Sequence, residues 1–406
     1  MSAVAIIGAG PAGASLALLL AQRGVNVTLL ERSRDFGREF RGEVLMPSGQ
    51  RALAELGIPD ALAEVPSTPL DAFSLHIGSR PVLEVTRSQV AEWEAEDQLP
   101  RAVSQPVLLK TLVDAAKRYP NFRFHAGVSI KQLVYVQQRV CGVRCRLDGA
   151  ACELQTALVV GADGRNSWVR RALGLGVHDI TAPMDIVWFK LPLPSGWEGG
   201  KAYASKGHLL FAYRTWDDSL QLGWVITKGT FGAFKEREAS EWVAELAGHV
   251  DPALAQHLAA YGGHLENPFL LSAKSDCVAR WSAEGALLIG DAAHTMSPVG
   301  GQGINIALRD AIVAANHLVP LFGSPADNAL DALGSALSAI EQERMAEVRQ
   351  IQRLQSLPPR IVLNKGWLGA TARSVMAWYL SRLDIRQMEG GPTAFLDGIT
   401  DVRLTC

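Results

Sequence analysis

The stretch VAIIGAGPAGASLALLLAQRGVNVTLLER, Val4 to Arg32, decides the fold of this chain. Val4 to Ile7 is a short apolar run, suited to a parallel strand buried on both faces. Gly8, Gly10 and Gly13 follow at GxGxxG spacing, with Ala12 in the same turn. Gly8 permits the tight turn, Gly10 lets a phosphate approach the backbone, and Gly13 lets the next helix pack closely on the strand. That helix is expected to run to about Arg23 and to stop at Gly24. Its first N–H groups and positive dipole end face the turn, which makes an anion site. Val25 to Leu30 reads as the second strand. Glu31 closes it where an acid accepts hydrogen bonds from a ribose. Glu31 would also repel a 2′-phosphate, so the adenine nucleotide expected here is FAD or NAD. Arg32 reads either as a solvated side chain or as one packed on the adenosine.

A second stretch, GALLIGDAAHTMSPVGGQGINIALRDA (Gly285 to Ala311), repeats the strand–loop–helix pattern far along the chain. Ala286 to Ile289 reads as a strand, and Asp291 at its end is placed to accept hydrogen bonds from sugar-like hydroxyls. Pro298 stiffens the loop. Gly300, Gly301 and Gly303 open the backbone, and a helix starts between Gln302 and Asn305. Ile304, Ala307, Leu308, Ala311 and Ile312 follow helical spacing. A chain binding only NAD seldom needs a second glycine-rich helix start, whereas a two-ended cofactor does. Reduced flavin is anionic around N1 and the C2 carbonyl, and a helix start aimed there stabilises that charge. The expected cofactor is therefore FAD, with its isoalloxazine ring against Pro298, Gly301 and Gln302. No acid or base is assigned among these residues.

These residues give the chain a resemblance to the group A flavoprotein monooxygenases, the family of para-hydroxybenzoate hydroxylase. The resemblance extends to VVGADGRNSWVRRALG (Val159 to Gly174), where Asp163, Gly164 and Arg165 match the family's DG pattern. It extends also to RGEVLMPSGQRALAELG (Arg41 to Gly57), where Arg41 takes the place of an arginine that meets the flavin phosphates. In RAVSQPVLLKTLVDAA (Arg101 to Ala116), Gln105 takes the place of a glutamine that contacts FAD. Other readings stand beside these. Asp163 could cap a helix beginning near Asn166, Arg41 could be solvated, and Gln105 could be an ordinary helix-entry residue. His294 reads as ordering the loop around Asp291 rather than as an acid or base.

The family likeness implies an α/β fold: a Rossmann-type FAD-binding domain with an inserted, mostly antiparallel substrate sheet and C-terminal helices. The expected division is 1–70, 100–175 and 276–322 for FAD, 71–99 and 176–275 for substrate, and 323–406 for a helical region. Strand-type alternation in residues 185–227, with a hairpin turn at Trp216 to Ser219, supplies the sheet. Residues 236–261 read as helical. Leu330 to Leu357 reads as a helix stopped by Pro358 and Pro359. Trp367 to Leu383 is an amphipathic segment that could touch a membrane or dock on its own protein. Tyr203, Tyr213 and His208, with Trp188, Phe189, Phe211 and Trp224, are sheet residues that could face a substrate or simply pack.

Composition bounds the alternatives. The chain has 406 residues, 48% hydrophobic and 20% charged, with a formal net charge of −2. That balance favours neither nucleic acid nor an anionic membrane as a general partner. Five cysteines without CxxC spacing and no secretory signal predict reduced thiols in a cytoplasm, with Cys141 and Cys145 as small core residues and no metal site. No run of about 18 unbroken apolar residues predicts a transmembrane helix.

The implied activity uses NADPH or NADH, bound transiently, and O2. Through a C4a-hydroperoxyflavin it hydroxylates or epoxidises an electron-rich aromatic or quinone-like small molecule. A flavin-dependent reductase, a halogenase and a non-catalytic FAD binder are the competing readings. The halogenase reading expects a WxWxIP segment, which Trp224-Val-Ile-Thr does not match.

Overall fold

The computed structural model describes residues 2–37, 43–86, 88–89, 99–179, 184–205, 207–232, 236–262, 268–323, 329–363, 366, 371, 375, 378 and 394–406. Arg41 lies outside these residues, as does most of the amphipathic segment 367–383. β1 (Ser2–Ile7), α1 (Pro11–Gln22) and β2 (Val27–Leu30) form the opening unit. Every residue from Ala12 to Ala21 is buried, so α1 is apolar on all sides and sits inside the molecule. Gly24 ends the helix at φ +78°, as expected.

The central sheet runs in the order β8 (Phe122–His125), β2, β1, β11 (Ala150–Gly161), β20 (Ala286–Leu288), β19 (Ser282–Ala283). All neighbours are parallel except the edge pair β19–β20. β9 (Ser129–Val136) and β10 (Arg139–Leu147) extend it as an antiparallel branch on the first half of β11. In that branch Cys145 stands directly opposite Cys152, and the two form a disulfide, which corrects the expectation of reduced thiols. Cys141, Cys277 and Cys406 are free. α4 (Gln105–Ala116) and α8 (Gly303–Phe322) pack on α1 and close the main core around Leu16, Leu20, Leu112 and Ile312.

The second sheet runs β17 (Phe269–Ser272), β13 (Met184–Pro192), β16 (Ser219–Thr227), β15 (His208–Arg214), β14 (Gly200–Ser205), β5 (Phe73–Ile77), β6 (Arg80–Val85). Only β14–β5 is parallel, so the mostly antiparallel expectation holds. One face is covered by α6 (Ala239–Ala247) and α7 (Pro252–Tyr261), into which residues 236–261 divide. The other face packs with Ala102 and Val299, from β7 and the loop before α8. Two small sheets brace the junction: β3 (Val44–Leu45), β7 (Arg101–Val103) and β4 (Ser67–Pro69), and β12 (Val177–Asp179), β18 (Asp276–Val278) and β21 (His294–Thr295).

Short helices α2 (Pro47–Ala54), α3 (Pro59–Ala63) and α5 (Trp168–Ala172) follow their strands. α9 (Ala329–Val362) corrects the expected stop at Pro358. Two adjacent prolines remove N–H donors but leave carbonyls intact, and Leu363 N–H bonds the Pro359 carbonyl at 2.9 Å. Burial of Val362 against the second sheet's core holds the last turn in place. α10 (Ala394–Asp397) leads into a tail that lies back on the end of α1, on α8 and on α9.

Candidate active site

The register of the central sheet brings the three sequence motifs together. Ile7 pairs with Gly161, and Gly161 with Leu288. The chain therefore leaves β1, β11 and β20 side by side, at Gly8, Ala162 and Ile289. Ala162 N–H bonds the Ile7 carbonyl at 2.8 Å, and Ile289 N–H bonds the Gly161 carbonyl at 3.0 Å. Ligands of open parallel sheets bind at this carboxyl edge.

The first helix start is bare. Gly10 is the N-cap of α1 and supplies no side-chain cap. A Cβ on Gly10 would meet nothing within 4 Å, whereas one on Gly13 would collide with the Gly8 carbonyl oxygen. Gly10 thus borders open space, and Gly13 marks close helix–strand packing. Glu31 is buried. Its Oε2 accepts from Ala9 N–H and its Oε1 from Ser33 N–H, both at 2.8 Å, so it pins the glycine turn to the end of β2. Arg32 is exposed, and Gln105 is the half-buried first residue of α4.

The second helix start is also uncapped by any side chain. Gly300 and Gly301 adopt φ +73° and +61°, a left-handed path that other residues resist. A Cβ on Gly290 would come within 3.0 Å of the Ala12 Cβ and 3.7 Å of the Ala307 Cβ. Gly290 therefore lies between the first turn of α1 and the second turn of α8, and the two bare helix starts share one edge of the sheet. Asn305 is fully buried and holds this arrangement. Its Oδ1 accepts from Met46 N–H at 2.9 Å, and its Nδ2 donates to the Gly301 carbonyl at 2.8 Å. Gln302 donates to the carbonyls of Gly300 (2.8 Å) and Phe395 (2.7 Å).

Two aspartates follow β11 and β20 at the same edge of the sheet. Asp163 behaves as a cap: its Oδ1 accepts from the Ser167 hydroxyl, and its Oδ2 from the N–H groups of Trp168 (2.6 Å) and Val169 (3.1 Å). The side chain of Asp291 lies 3.9 Å from Arg165 Nε, which joins the DG segment to the second glycine loop. His294 orders the loop that carries Asp291, and its partner is Asp310: Nε2 lies 2.6 Å from Asp310 Oδ2, which also accepts from Gly290 N–H at 2.9 Å. Arg344 donates to Asp310 Oδ1 at 2.8 Å, and all three side chains are buried. Burial would raise the Asp310 pKa, but His294 and Arg344 prevail and hold it down at about 2.

These residues fit FAD. Two helix starts offer uncapped backbone N–H groups on one edge, and a Cβ on Gly10, Gly164 or Gly303 would meet nothing within 4 Å. Among the described residues no cluster could hold a metal ion, and no helix is long and apolar enough to cross a membrane. The FAD binding domain family matches residues 1–350. The chain is 32% identical over 381 residues to 6-methylpretetramide 4-monooxygenase of Streptomyces rimosus, covering 93% of this chain and 88% of that one. This protein is a group A FAD-dependent monooxygenase.

The monooxygenase is also 26% identical to 3-demethoxyubiquinol 3-hydroxylase of Escherichia coli (strain K12) over 338 residues, 78% of this chain and 79% of the other. In fold it resembles P. aeruginosa PqsL in complex with 2-aminobenzoylacetate. That likeness has a TM-score of 0.77 at 22% identity, covering 91% of this chain and 99% of PqsL.

The second sheet sorts the monooxygenase's candidate substrate residues by strand alternation. Trp188, Phe211 and Tyr213 lie on the face that packs with Val299 of the loop before α8. Phe189, Trp224 and Tyr203 lie on the opposite face, against α6 and α7. Tyr203 donates there to Asp251 Oδ2 at 2.6 Å, and His208 stacks on His249 with ring centres 3.9 Å apart. Only the first group shares a cluster with the loop that precedes α8. Sequence reasoning missed Glu43, which sits inside the quoted Arg41–Gly57 segment but belongs to no spacing pattern. It also missed Asp310 and Arg344, whose charges are hidden in otherwise ordinary helix sequence.

Proposed function

We propose that this monooxygenase uses NAD(P)H and O2 to hydroxylate a small, electron-rich aromatic that bears a hydroxyl group. The observation that carries this reading is the meeting of two uncapped helix starts at Gly290 beneath an apolar sheet face. A relative named 6-methylpretetramide 4-monooxygenase supports oxygen transfer to a small molecule, and one named 3-(3-hydroxy-phenyl)propionate/3-hydroxycinnamic acid hydroxylase supports an aromatic acceptor that bears a hydroxyl group. Bound FAD supplies the redox and oxygen-transfer chemistry.

In this proposal the backbone of Gly8, Gly10, Ala12 and Gly13 holds the diphosphate at the start of α1. Glu31 accepts from the ribose, Arg32 and Gln105 flank the nucleotide, and Arg41 meets the phosphates. Asp291, with Arg165 and the Asp163 turn beside it, orients the hydroxyls of the linking chain. Pro298, Gly300, Gly301, Gln302, Gly303, Ile304 and Asn305 border the ring. The N–H groups at the start of α8 stabilise the negative charge that develops there. The division of labour runs as the sequence suggests: residues 1–70, 100–175 and 276–322 hold cofactor, 71–99 and 176–275 hold substrate, and 323–406 support both. With no second dinucleotide motif, NADH or NADPH docks transiently, and dependence on it assigns the protein to the cytoplasm.

The test is direct. The purified protein should be yellow, and Asp291→Ala should lose most of its flavin. Substituted phenols should stimulate NAD(P)H oxidation only with O2 present, and mass spectrometry should find one added oxygen in the product. Turnover without O2 would favour a reductase, and halide incorporation a halogenase. No stimulation by any aromatic compound would sink the reading.

A further inference from the structure

The apolar sheet face that meets Val299 carries one polar strip. Tyr213 on β15 stands opposite Gln221 on β16, and Gln221 stands opposite Lys190 on β13. Alternation puts all three on the face that holds Trp188, Phe211 and Val225. Glu43, one residue before β3, is only 6% exposed, and its Oε2 has no hydrogen-bond partner among the described residues. The neighbouring Val44 packs in the same cluster as Tyr213 and Val299. Gln221 is buried too. Its Nε2 donates to the Phe189 carbonyl at 3.0 Å, while its Oε1 has no partner among the described residues.

An unpartnered buried carboxylate is costly, and such a group in a native fold calls for an explanation. Burial pushes the Glu43 carboxyl up to about 7. The Lys190 charge opposes that shift and the Asp217 charge adds to it. The Trp216 indole nitrogen lies close enough to weaken the shift, but not in hydrogen-bonding geometry. Tyr213 is driven well above its ordinary value, by its own burial first and then by Glu43, so its hydroxyl stays neutral. The corner thus holds one group that ionises near neutrality beside two that do not.

We propose that Glu43 is the base of the hydroxylation, taking the proton of the substrate's hydroxyl while Tyr213 and Gln221 hold that oxygen. This rests on the aromatic hydroxylation proposed above. The substrate O–H bond breaks, its proton joins Glu43 Oε2, and the electron pair stays on oxygen and spreads to the ortho and para carbons. Those carbons become the nucleophiles that receive the oxygen atom. As the product regains aromaticity, its ring C–H proton leaves to solvent and Glu43 returns its proton to the product oxygen.

The test compares wild type, Glu43→Gln and Glu43→Asp holoenzymes on two phenols, 1-naphthol and 4-nitrophenol, from about pH 5 to 9. Because 4-nitrophenol ionises unaided near neutrality, it needs no base. Glu43→Gln should lose about 10²- to 10⁴-fold in kcat/KM on 1-naphthol, together with the limb that rises near pH 7. Its loss on 4-nitrophenol should stay below about tenfold, and Glu43→Asp should restore the rising limb. Flavin content should match wild type in all three. Equal losses on both phenols, or an unchanged rising limb in Glu43→Gln, would overturn the assignment. A second readout needs no turnover: the visible band of 4-nitrophenol bound to holoenzyme should titrate at different pH in wild type and Glu43→Gln. Matching midpoints would overturn Glu43 as the proton partner, whereas a dead wild type with shifted midpoints would count only against the hydroxylase reading.

Discussion

Asp310 links three positive or polar groups that would otherwise be stranded: His294, Arg344 and the Gly290 amide. A carboxyl held below its unfolded value of 3.8 adds stability that is complete above that value and is lost as pH falls through about 2. Asp310→Asn should therefore cost about 3–5 kcal/mol at neutral pH, because it leaves Arg344 buried with less compensation. Thermal melts of the two proteins should converge as the pH is taken below about 4. The reason is burial plus charge, and neither is readable from a helix whose apolar positions keep perfect spacing around Asp310. His294 stood out in the sequence as a polar residue in an apolar run, but its partner lies on a different element. Glu43 was equally silent. Its meaning comes from what the fold places, and fails to place, around it.

Single elements were more legible. The glycine turn, α1 and the hairpin at Trp216 follow from local rules of backbone conformation and alternation, so sequence and structure agree closely there. Where tertiary packing overrides a local rule, reading failed: α9 passes two prolines, and the β10–β11 register brings two cysteines face to face. The glycines of the first turn make a paired prediction. Gly10 has φ −74° and open space beyond it, so Gly10→Ala should melt within about 1 kcal/mol of wild type without cofactor. Its FAD affinity should fall on the order of tenfold or more, because the methyl occupies the phosphate's approach. Gly13→Ala should instead damage the fold, since its methyl meets the Gly8 carbonyl. Circular dichroism and flavin absorbance separate the two effects. If Gly10→Ala binds FAD normally, the diphosphate lies elsewhere.

Across the whole molecule, the tail stitches the end of α1, the start and middle of α8, and α9 together. Phe395 packs against Gly300 and accepts from Gln302 through its carbonyl. Glu347 accepts from Ile399 N–H at 2.8 Å, Asn316 donates to the Arg403 carbonyl at 2.8 Å, and Arg23 Nε bonds the Cys406 carbonyl at 2.8 Å. Removing residues 394–406 should leave the secondary structure largely intact by circular dichroism. It should lower the melting temperature and release flavin during gel filtration. Retention of full colour would show that the loop stands without its brace. The sheet order β1–β11–β20 carries the same lesson, since these neighbours in space are far apart in the chain and long-range pairing leaves only faint traces in sequence.

Phe395 also imposes a timetable. The glycine turn emerges from the ribosome early, the prop for the second glycine loop emerges nearly the whole length of this sequence later, and no chain shorter than that has both. Nascent chains should therefore stay colourless until the segment around Phe395 clears the exit tunnel, so that vitamin supply acts late in synthesis.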